Sequence, residues 1–364
     1  MERKLLILTD YKDFFATKLE GEAENTTRTT MDVQRLKKLF EEKGFEVSIC
    51  SMSEADLSAD YTGTICVYAS IEDNGQFYKH YIEDILFCLK EKGAVLIPDF
   101  KWQKAHSDKV VQELIRASFR DGDLRTPRSL TLGHADELRR IQTRAEKELQ
   151  YPMVVKVSSG SGSRGVELAN NAAELEQKVR YLTEHHYRDF ADTLYLETGL
   201  LVKRLLRRIT GRRVEQETIL SHMYTNKVIL QQFIPGLSGD YKVLFFAGRY
   251  FVLNRKNRDN DFRASGSGKF SYPEETEEFY RVLELARKAA AEIGMPMQSL
   301  DIGCNESGCF LLEFQCVYFG PYTLQFAPCC YEYAEENGCW KRIDGSFDLE
   351  EEYVRAVTAY AERL

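Results

Sequence analysis

The stretch YPMVVKVSSGSGSRGVELANN, residues 151 to 171, decides how this sequence is interpreted. A short apolar run ends in Lys156 and leads into a loop rich in glycine and serine. The glycines match G-x-G-x-x-G, the dinucleotide fingerprint, in which a helix begins at the loop and meets the pyrophosphate. Here VELA, which is typical of a strand, follows the loop, and the next helix begins only after Asn170 or Asn171. The stretch therefore predicts a strand–loop–strand hairpin.

Two other phosphate-binding loops fit this stretch poorly. A P-loop requires Lys and then Ser or Thr after its second glycine, but Gly165 is followed by Val166 and Glu167. A protein-kinase loop requires H-R-D and D-F-G sequences downstream, and the chain has neither. In a mobile hairpin, Lys156 could place its ammonium on a nucleotide phosphate while backbone N–H groups of the loop close over the others. A surface hairpin with an exposed lysine is the alternative.

Length, composition and charge describe an ordinary globular protein. At 364 residues, two or three domains are expected. The net charge of -8 gives no reason to expect a nucleic-acid partner. Apolar runs stay shorter than a membrane span, so we expect no membrane partner and a cytoplasmic location. Nine cysteines without a C-x-x-C pair predict reduced thiols, not disulfides or a zinc site.

The first hundred residues alternate between strand and helix. KLLILTD and FEVSIC predict strands, and the segment between them predicts a helix that ends at Gly44. The apolar stripe of this helix consists of Val33, Leu36, Leu39 and Phe40. TICVYAS, the helix-like QFYKHYIEDILFCLKEKG and the strand-like AVLIPDF continue the alternation. This order predicts a small parallel sheet covered by helices.

The remaining sequence predicts a second helical region, a basic segment and a region rich in strands. SDKVVQELIRASF predicts a helix with Ser107 or Asp108 as its N-cap. Residues 203 to 213 are strongly basic and predict an amphipathic helix with a solvated face, with a site for an anionic substrate as the alternative. The C-terminal third predicts a mixed sheet, with strands on both sides of a helix.

Four segments, in order, resemble the motifs of ATP-grasp enzymes. PMVVKVSSGSGSRGV resembles the glycine-loop segment, and SDKVVQELIRASFRDGDLRTPRSL resembles the Asp-Lys helix with its following Thr-Pro. VILQQFIPG is similar to the hinge strand that holds adenine, and SLDIGCNESGCFLLEFQ resembles the metal-binding hairpin. The similarity covers about residues 100 to 325 and resembles the glutathione synthetase and peptide ligase branches.

The resemblance implies a multidomain protein of the α/β and α+β classes, with an ATP-grasp fold that follows an N-terminal Rossmann-like, pre-ATP-grasp domain. The expected first domain is 1–106. The small ATP-grasp subdomain is expected at 107–230, with the glycine loop and a basic helical insertion at about 185–225. The large subdomain, with the metal site, is expected at 231–364.

The resemblance also implies a set of nucleotide-binding residues. Two lysines would contact ATP, the loop would cover its phosphates, and the hinge would bind adenine. Gln231 and Gln232 stand where the family often has a Glu, and Ile234 would contact the ring through its backbone. Asp240 would bind the ribose or pair with Lys242, and the sequence does not decide between these roles. The full set is Lys109, Lys156, Gly160, Ser161, Gly162, Ser163, Gly165, Gln231, Gln232, Phe233, Ile234 and Asp240.

The segment SLDIGCNESGCFLLEFQ also predicts a metal site from its residues. Glu313 and Gln315 are two apart on a strand and share one face. A three-residue turn, 306–308, with Gly308 at positive φ, would pair Asp301 with Glu313. The opposite, apolar face would then carry Phe310, Leu312, Phe314 and Cys316.

The donors in this segment suit a hard cation. Asp301 and Glu313 offer two carboxylates and Gln315 an amide carbonyl, a set that suits Mg²⁺, which takes its other ligands from water and substrate phosphates. Mn²⁺ is the alternative cation. The family pattern has Asn where this chain has Gln315, so ligation by that residue is the weakest of the three. A polar strand face at the surface is the alternative.

The chemistry implied by the resemblance is carboxylate activation by ATP and attack of an amine on the acyl phosphate. Arg255 would stabilise the transferring phosphoryl group and the tetrahedral adduct. Arg263 and Arg258 are further candidates for a substrate carboxylate, with a solvated loop charge as the alternative for either. A small-molecule phosphotransferase and a degenerate ATP-binding regulatory module are the alternatives. The expected partners are small carboxylate and amine substrates and a second copy of the chain in a homodimer.

Overall fold

The computed structural model describes residues 3–19, 28–70, 76–159, 165–184, 198, 201–202, 205, 209, 226–257, 270–317 and 320–364. The chain forms two compact units. The larger unit consists of Met1–Pro127 and Ile234–Leu364, and the smaller unit of Arg128–Phe233. Within the described ranges, no helix has both the length and the apolar character needed to cross a membrane.

The N-terminal part of the larger unit is built on a parallel sheet. Its elements are β1 (Arg3–Thr9), β2 (Phe15–Leu19), β3 (Arg28–Met31), α1 (Val33–Glu42), β4 (Phe45–Ser51), β5 (Ile65–Tyr68), α2 (Phe77–Glu91), β6 (Val95–Ile97), α3 (Phe100–Ala105) and α4 (Lys109–Arg116). The parallel strands lie in the order β4–β1–β5–β6, and β2 and β3 form a separate antiparallel pair. The parallel sheet predicted from the alternation is confirmed.

Side chains fix where the helices of this part begin and which face they bury. Asp32 accepts backbone hydrogen bonds at the start of α1, and Leu36 and Phe40 of its predicted stripe are fully buried. Asp108 accepts the backbone N–H of Val111 at the start of α4. The N-cap of α4 is thus the second of the two residues that the sequence allowed.

The described part of the smaller unit includes an antiparallel sheet and the helices that pack on it. Its elements are β7 (Ser129–Leu132), α5 (Leu138–Leu149), β8 (Met153–Val157), β9 (Val166–Ala169), α6 (Ala172–Glu184) and β10 (Val228–Gln232). The strands lie in the order β7–β10–β8–β9. Val155, Leu175, Val179 and Leu230 are fully buried in its core. Because β8 pairs with β9, the strand–loop–strand prediction is confirmed.

The C-terminal part of the larger unit is built on a second sheet, whose described strands all pair antiparallel, so the mixed sheet predicted for this region is wrong. Its elements are β11 (Gly239–Phe246), β12 (Arg249–Lys256), β13 (Phe270–Ser271), α7 (Glu277–Ile293), β14 (Met297–Asn305), β15 (Gly308–Gln315), α8 (Tyr322–Gln325), β16 (Cys329–Ala334), β17 (Cys339–Asp344) and α9 (Leu349–Ala361). The order is β15–β14–β11–β12–β16–β17, and β13 also pairs with β12. Helix α7 buries Phe279, Leu283 and Ala286 completely.

The structure corrects the prediction that all cysteines are reduced. Cys304 and Cys309 form a disulfide with a Cα–Cα distance of 4.0 Å. These residues face each other directly across β14 and β15. The spacing of the cysteines did not predict this disulfide, because the pairing depends on a turn of only two residues between the strands. The other cysteines are free thiols.

Candidate active site

The hairpin of β8 and β9 carries the predicted phosphate lysine. Its ladder ends at the pair Lys156 and Val166, and the Val157 N–H donates to the Gly165 carbonyl at 2.9 Å. Gly165 has a φ of +69°, and a Cβ added there would lie 2.4 Å from Val157 Cγ2. Only glycine fits this position, because any side chain would meet both the left-handed backbone and Val157. The loop residues Gly160, Ser161, Gly162 and Ser163 lie outside the described residues.

The hinge strand β10 places Gln231 beside Lys156. Lys156 Nζ donates to Gln231 Oε1 at 2.7 Å, and Gln231 is 3% exposed. Gln232 Oε1 accepts the backbone N–H of Arg128 at 3.4 Å. Phe233 ends the smaller unit, and Ile234, whose side chain is buried, begins the second segment of the larger unit. The carbonyl of Gln231 is therefore turned toward Lys156, a contact that the sequence did not predict.

A stripe of charged side chains crosses four strands of the C-terminal sheet. On β11, Asp240 pairs with Arg255 of β12, and Lys242 pairs with Asp301 of β14. Asp301 pairs in turn with Glu313 of β15. Residues directly opposite each other, or two apart on a strand, share one face of a sheet. These five residues, hereafter the charged stripe, therefore lie on one face.

Arg255 is held between two carboxylates. Its Nε and Nη2 donate to the two oxygens of Asp240 at 2.6 and 2.9 Å, and its Nη2 lies 2.6 Å from Asp301 Oδ2. Asp240 is thus in an ion pair with Arg255, and the charge of Lys242 also acts on it, while its role toward a nucleotide stays a prediction. Tyr322 of α8 is a further hydrogen-bond partner of Arg255. Fixed in this way, the guanidinium has one defined orientation.

The pKa directions follow from burial and from these pairs. Burial and the nearby charge of Asp301 raise the pKa of Asp240, although Arg255 opposes the shift. Burial also acts to raise the pKa of Asp301, but the charges of Arg255 and Lys242 outweigh it and hold that pKa below its ordinary value. Burial lowers the pKa of Lys242. Asp301 is thus kept ionised, as a metal ligand must be.

The strands β14 and β15, Met297–Gln315, form the predicted metal hairpin, but its turn differs from the prediction. Asn305 pairs with Gly308, so the turn has two residues and not three. A bulge between Asp301 and Ile302 then shifts the register and pairs Asp301 with Glu313. The predicted carboxylate pair is therefore present, and Gly308 has the expected positive φ of +135°, but the bulge sets the register.

The bulge also corrects the predicted apolar face of β15. Before it, Cys309 and Leu311 are buried, while Phe310 and Leu312, which the alternation assigned to the apolar side, are half-buried. After it, Phe314 and Cys316 are buried, as predicted. One extra residue in a strand reverses the alternation on either side of it, and no composition signal in CFLLEFQC reveals where it lies.

Helix α4 brings Lys109 to the metal hairpin. Lys109 is the first residue of α4, and its Nζ lies 3.7 Å from Glu313 Oε1. Lys109 and the charged stripe together contain three cationic side chains and three carboxylates. The charges balance, so the partly buried cluster carries no net charge. Arg263 and Arg258, the other predicted arginines, and most of the basic segment 203–213 lie outside the described residues.

The donors of the metal hairpin fit magnesium. The side chains of Asp301 and Glu313 are 21% and 29% exposed, and Gln315 lies two residues beyond Glu313, opposite Ser299. Among the described residues, no three His, Cys, Asp or Glu side chains form a metal cluster. Two carboxylates and an amide are instead typical of Mg²⁺ that completes its shell with water and phosphate.

Comparison with known proteins supports the fold. No protein-family model and no curated protein sequence matches this chain. The D-cycloserine synthetase DcsG has a similar structure, with a TM-score of 0.53 and 14% identity over 98% of this chain and 99% of that one. The ATP-grasp ligase PsnB with a minimal precursor has a TM-score of 0.49 and 14% identity over 99% of both chains.

A further similar structure is the D-alanine–D-alanine ligase of Bacillus anthracis in complex with ATP. Its TM-score is 0.49, with 12% identity over 100% of this chain and 98% of that one. These structural neighbours are ATP-grasp ligases, and the likeness to DcsG, the one of the three with a TM-score above 0.5, gives this chain the ATP-grasp fold. The ATP-grasp fold implied by the four sequence segments is thus confirmed, and the Rossmann-like character of the N-terminal domain stays a prediction.

Proposed function

We propose that this protein is an ATP-dependent ligase that activates a carboxylate as an acyl phosphate and joins it to an amine, releasing ADP and phosphate. The observation that carries the proposal is the charged stripe, in which Arg255 and the pair Asp301–Glu313 share one face of a sheet in an ATP-grasp fold. Phosphoryl transfer needs this combination, because its catalysis consists mainly of positioning and charge neutralisation.

The proposal assigns a role to each group. Lys156 and the N–H groups and hydroxyls of the loop from Gly160 to Gly165 bind the ATP phosphates. The hinge, Gln231 to Ile234, binds adenine, and Lys109 is the second lysine for the nucleotide. Asp301 and Glu313, with Gln315, would hold Mg²⁺, which supplies charge neutralisation at the phosphates when it is bound.

Arg255 acts on the reacting groups in this proposal. Its guanidinium, oriented by Asp240, stabilises the phosphoryl group in transfer and then the tetrahedral adduct formed when the amine attacks the acyl carbon. The carboxylate oxygen takes the γ-phosphoryl group, and ADP leaves. The amine nitrogen then attacks the acyl carbon to form the C–N bond, phosphate leaves with the electron pair of the broken acyl C–O bond, and the nitrogen loses one proton to solvent. Arg263 remains a further candidate for the substrate carboxylate.

The test is ADP release in a screen of amino acids and other small carboxylates, each with and without an amine. Hydroxylamine should trap the acyl phosphate as a hydroxamate. We expect Lys156→Ala and Glu313→Gln to abolish turnover. Lys147→Ala and Glu306→Gln are matched controls, because both residues are exposed and Glu306 lies in the turn of the same hairpin.

The outcome also distinguishes the two alternatives. A stable phosphorylated product that forms without an amine, with no hydroxamate, would identify a phosphotransferase and contradict the ligase. Nucleotide binding without turnover under every substrate pair would identify a regulatory ATP-binding module.

A further inference from the structure

The bulge in the metal hairpin requires a support, because the turn by itself sets the wrong register. The turn pairs Asn305 with Gly308, and an unbroken ladder from that pair would place Asp301 opposite Leu312. Glu313 would then lie on the other face of the sheet. In the structure, Leu312 is the extra residue, so Asp301 and Glu313 are paired. The two proposed metal ligands meet only because of the bulge.

A buried arginine contacts the bulge directly. Arg116, the last residue of α4, donates from Nη2 to the Leu312 carbonyl at 2.9 Å. A bulge leaves its extra residue outside the ladder, so the carbonyl there takes its hydrogen bond from another donor. The Arg116 guanidinium also lies 5.6 Å from the ring centroid of Phe314, two residues further along the strand. Arg116 therefore contacts β15 on both sides of Glu313.

Stability by itself gives a poor account of this arginine. Arg116 and Glu113 are each 7% exposed, and their ion pair measures 3.3 Å. Replacing a buried ion pair by apolar residues is often neutral or stabilising. Yet Leu114, on the same helix, is 60% exposed. Helix α4 thus buries a charged pair and exposes a leucine, an inversion that suits a role in positioning the hairpin.

The same helix face carries the lysine of the site. Lys109, Glu113 and Arg116 are spaced i, i+4 and i+7, so they lie on one face of α4. Lys109 contacts Glu313, and Arg116 contacts Leu312, the residue directly before it. One rigid helix therefore holds two consecutive residues of β15.

We propose that Arg116 is a positioning residue of the metal hairpin: it maintains the bulge at Leu312 and so keeps Asp301 and Glu313 on one face. This inference rests on the proposed metal site. Contacts of this kind, one step removed from the metal, typically change metal affinity about 10- to 100-fold.

The first experiment measures Mn²⁺ affinity by electron paramagnetic resonance, with a non-hydrolysable ATP analogue present. Arg116→Met should weaken Mn²⁺ binding about tenfold or more. Arg116→Lys, which keeps a donor for one carbonyl, should recover part of the loss. Arg144→Met is the matched control and should have no effect, because Arg144 is exposed on α5 and pairs only with Glu148 in the contacts described. Equal affinity in wild type and Arg116→Met would overturn the inference.

The second experiment removes the need for the bulge. Deleting Leu312 would let an unbroken ladder from the same turn pair Asp301 with Glu313. In the deletion variant, Arg116→Met should leave Mn²⁺ affinity unchanged. In the intact chain, the same substitution should weaken Mn²⁺ binding. A deletion variant that loses Mn²⁺ affinity, or that is as sensitive to Arg116→Met as the intact chain, contradicts the proposal.

Amide hydrogen exchange separates this inference from the proposed function. In Arg116→Met, amides of residues 311–313 should exchange at least about tenfold faster, while those of β16 should not change. Unchanged exchange would overturn the role of Arg116 whether or not metal binds. Absence of Mn²⁺ binding in the wild type would instead contradict the proposed ligase, and the exchange result would still decide the inference.

Discussion

At the scale of single residues, the site depends on how Arg255 is held. Arg255 is 6% exposed, and its guanidinium lies between Asp240 and Asp301. Asp301 is also a proposed metal ligand, whereas Asp240 accepts hydrogen bonds from the arginine with both of its oxygens. The sequence left the role of Asp240 open, because the partner of a strand residue is known only when the adjacent strand and its register are known.

Asp240→Asn should lower kcat roughly 10- to 100-fold, since hydrogen bonds to charged groups contribute about 1.5–3 kcal/mol. The KM for ATP should change little, because the loss concerns the orientation of Arg255 toward the reacting groups. Steady-state ADP release measures both constants. Glu332→Gln is the matched control, because Glu332 of β16 pairs with Arg249, which lies on the same strand as Arg255, β12. An unchanged kcat in Asp240→Asn would show that Asp301 alone orients the arginine.

At the scale of elements, two hairpins carry the proposed chemistry, and each depends on one irregular feature. In the β8–β9 hairpin, Gly165 allows the close approach to Val157. In the metal hairpin, the bulge sets the register of β14 with β15. The sequence predicted both hairpins, because the periodicity of a strand and the chemistry of a turn are local. It could not predict the bulge, since a bulge is stabilised by a contact from another element, here Arg116 on α4.

Gly165→Ala should loosen the β8–β9 hairpin, because its Cβ would clash with Val157 and its φ is positive. Amide exchange at Val157 should accelerate about tenfold or more, and the KM for ATP should rise. Gly248→Ala controls for the positive φ alone, as nothing lies within 4 Å of a Cβ at that position.

The double variant Gly165→Ala/Val157→Ala provides the rescue. It removes the clash and leaves the unfavourable φ, so its exchange rate should lie between those of wild type and Gly165→Ala. Each variant is compared with the wild type at its own site. If Gly165→Ala accelerated amide exchange at Val157 no more than Gly248→Ala accelerates it at its turn, close packing would not explain the glycine at position 165.

At the scale of the whole molecule, the stability of the larger unit should depend on a buried histidine. His106, at the C-terminal end of α3, is 2% exposed. Burial, together with the charges of Lys79 and Lys109, lowers its pKa to about 3. The unfolded chain binds this proton at an ordinary pKa of about 6.5, so folding excludes a proton that the unfolded state accepts.

The stability due to neutral His106 is therefore present above pH 6.5 and is lost as the pH falls toward about 3. Between pH 7 and pH 5 the free energy of unfolding should fall by about 2 kcal/mol from this group, at about 1.4 kcal/mol per pH unit below 6.5. Urea unfolding followed by tryptophan fluorescence measures it, because both tryptophans, Trp102 and Trp340, lie in the larger unit. In His106→Gln this part of the pH dependence should disappear, and an identical slope in both proteins would contradict the assignment.

The sequence by itself determined the alternation of the first hundred residues and the β8–β9 hairpin, and its resemblance to ATP-grasp enzymes implied the fold; it did not predict the pairs β2–β3 and β16–β17 or helix α9. Lysine before a glycine loop, a strand after it and the acidic residues near 313 are local patterns that period and turn chemistry make visible. The tertiary structure decided what depends on two elements at once. It set the register of Asp301 with Glu313, the pairing of Asp240 with Arg255, and the disulfide between Cys304 and Cys309. The physical reason is that one extra residue in a strand moves its following side chains to the opposite face, and only contacts from other elements fix where that residue lies.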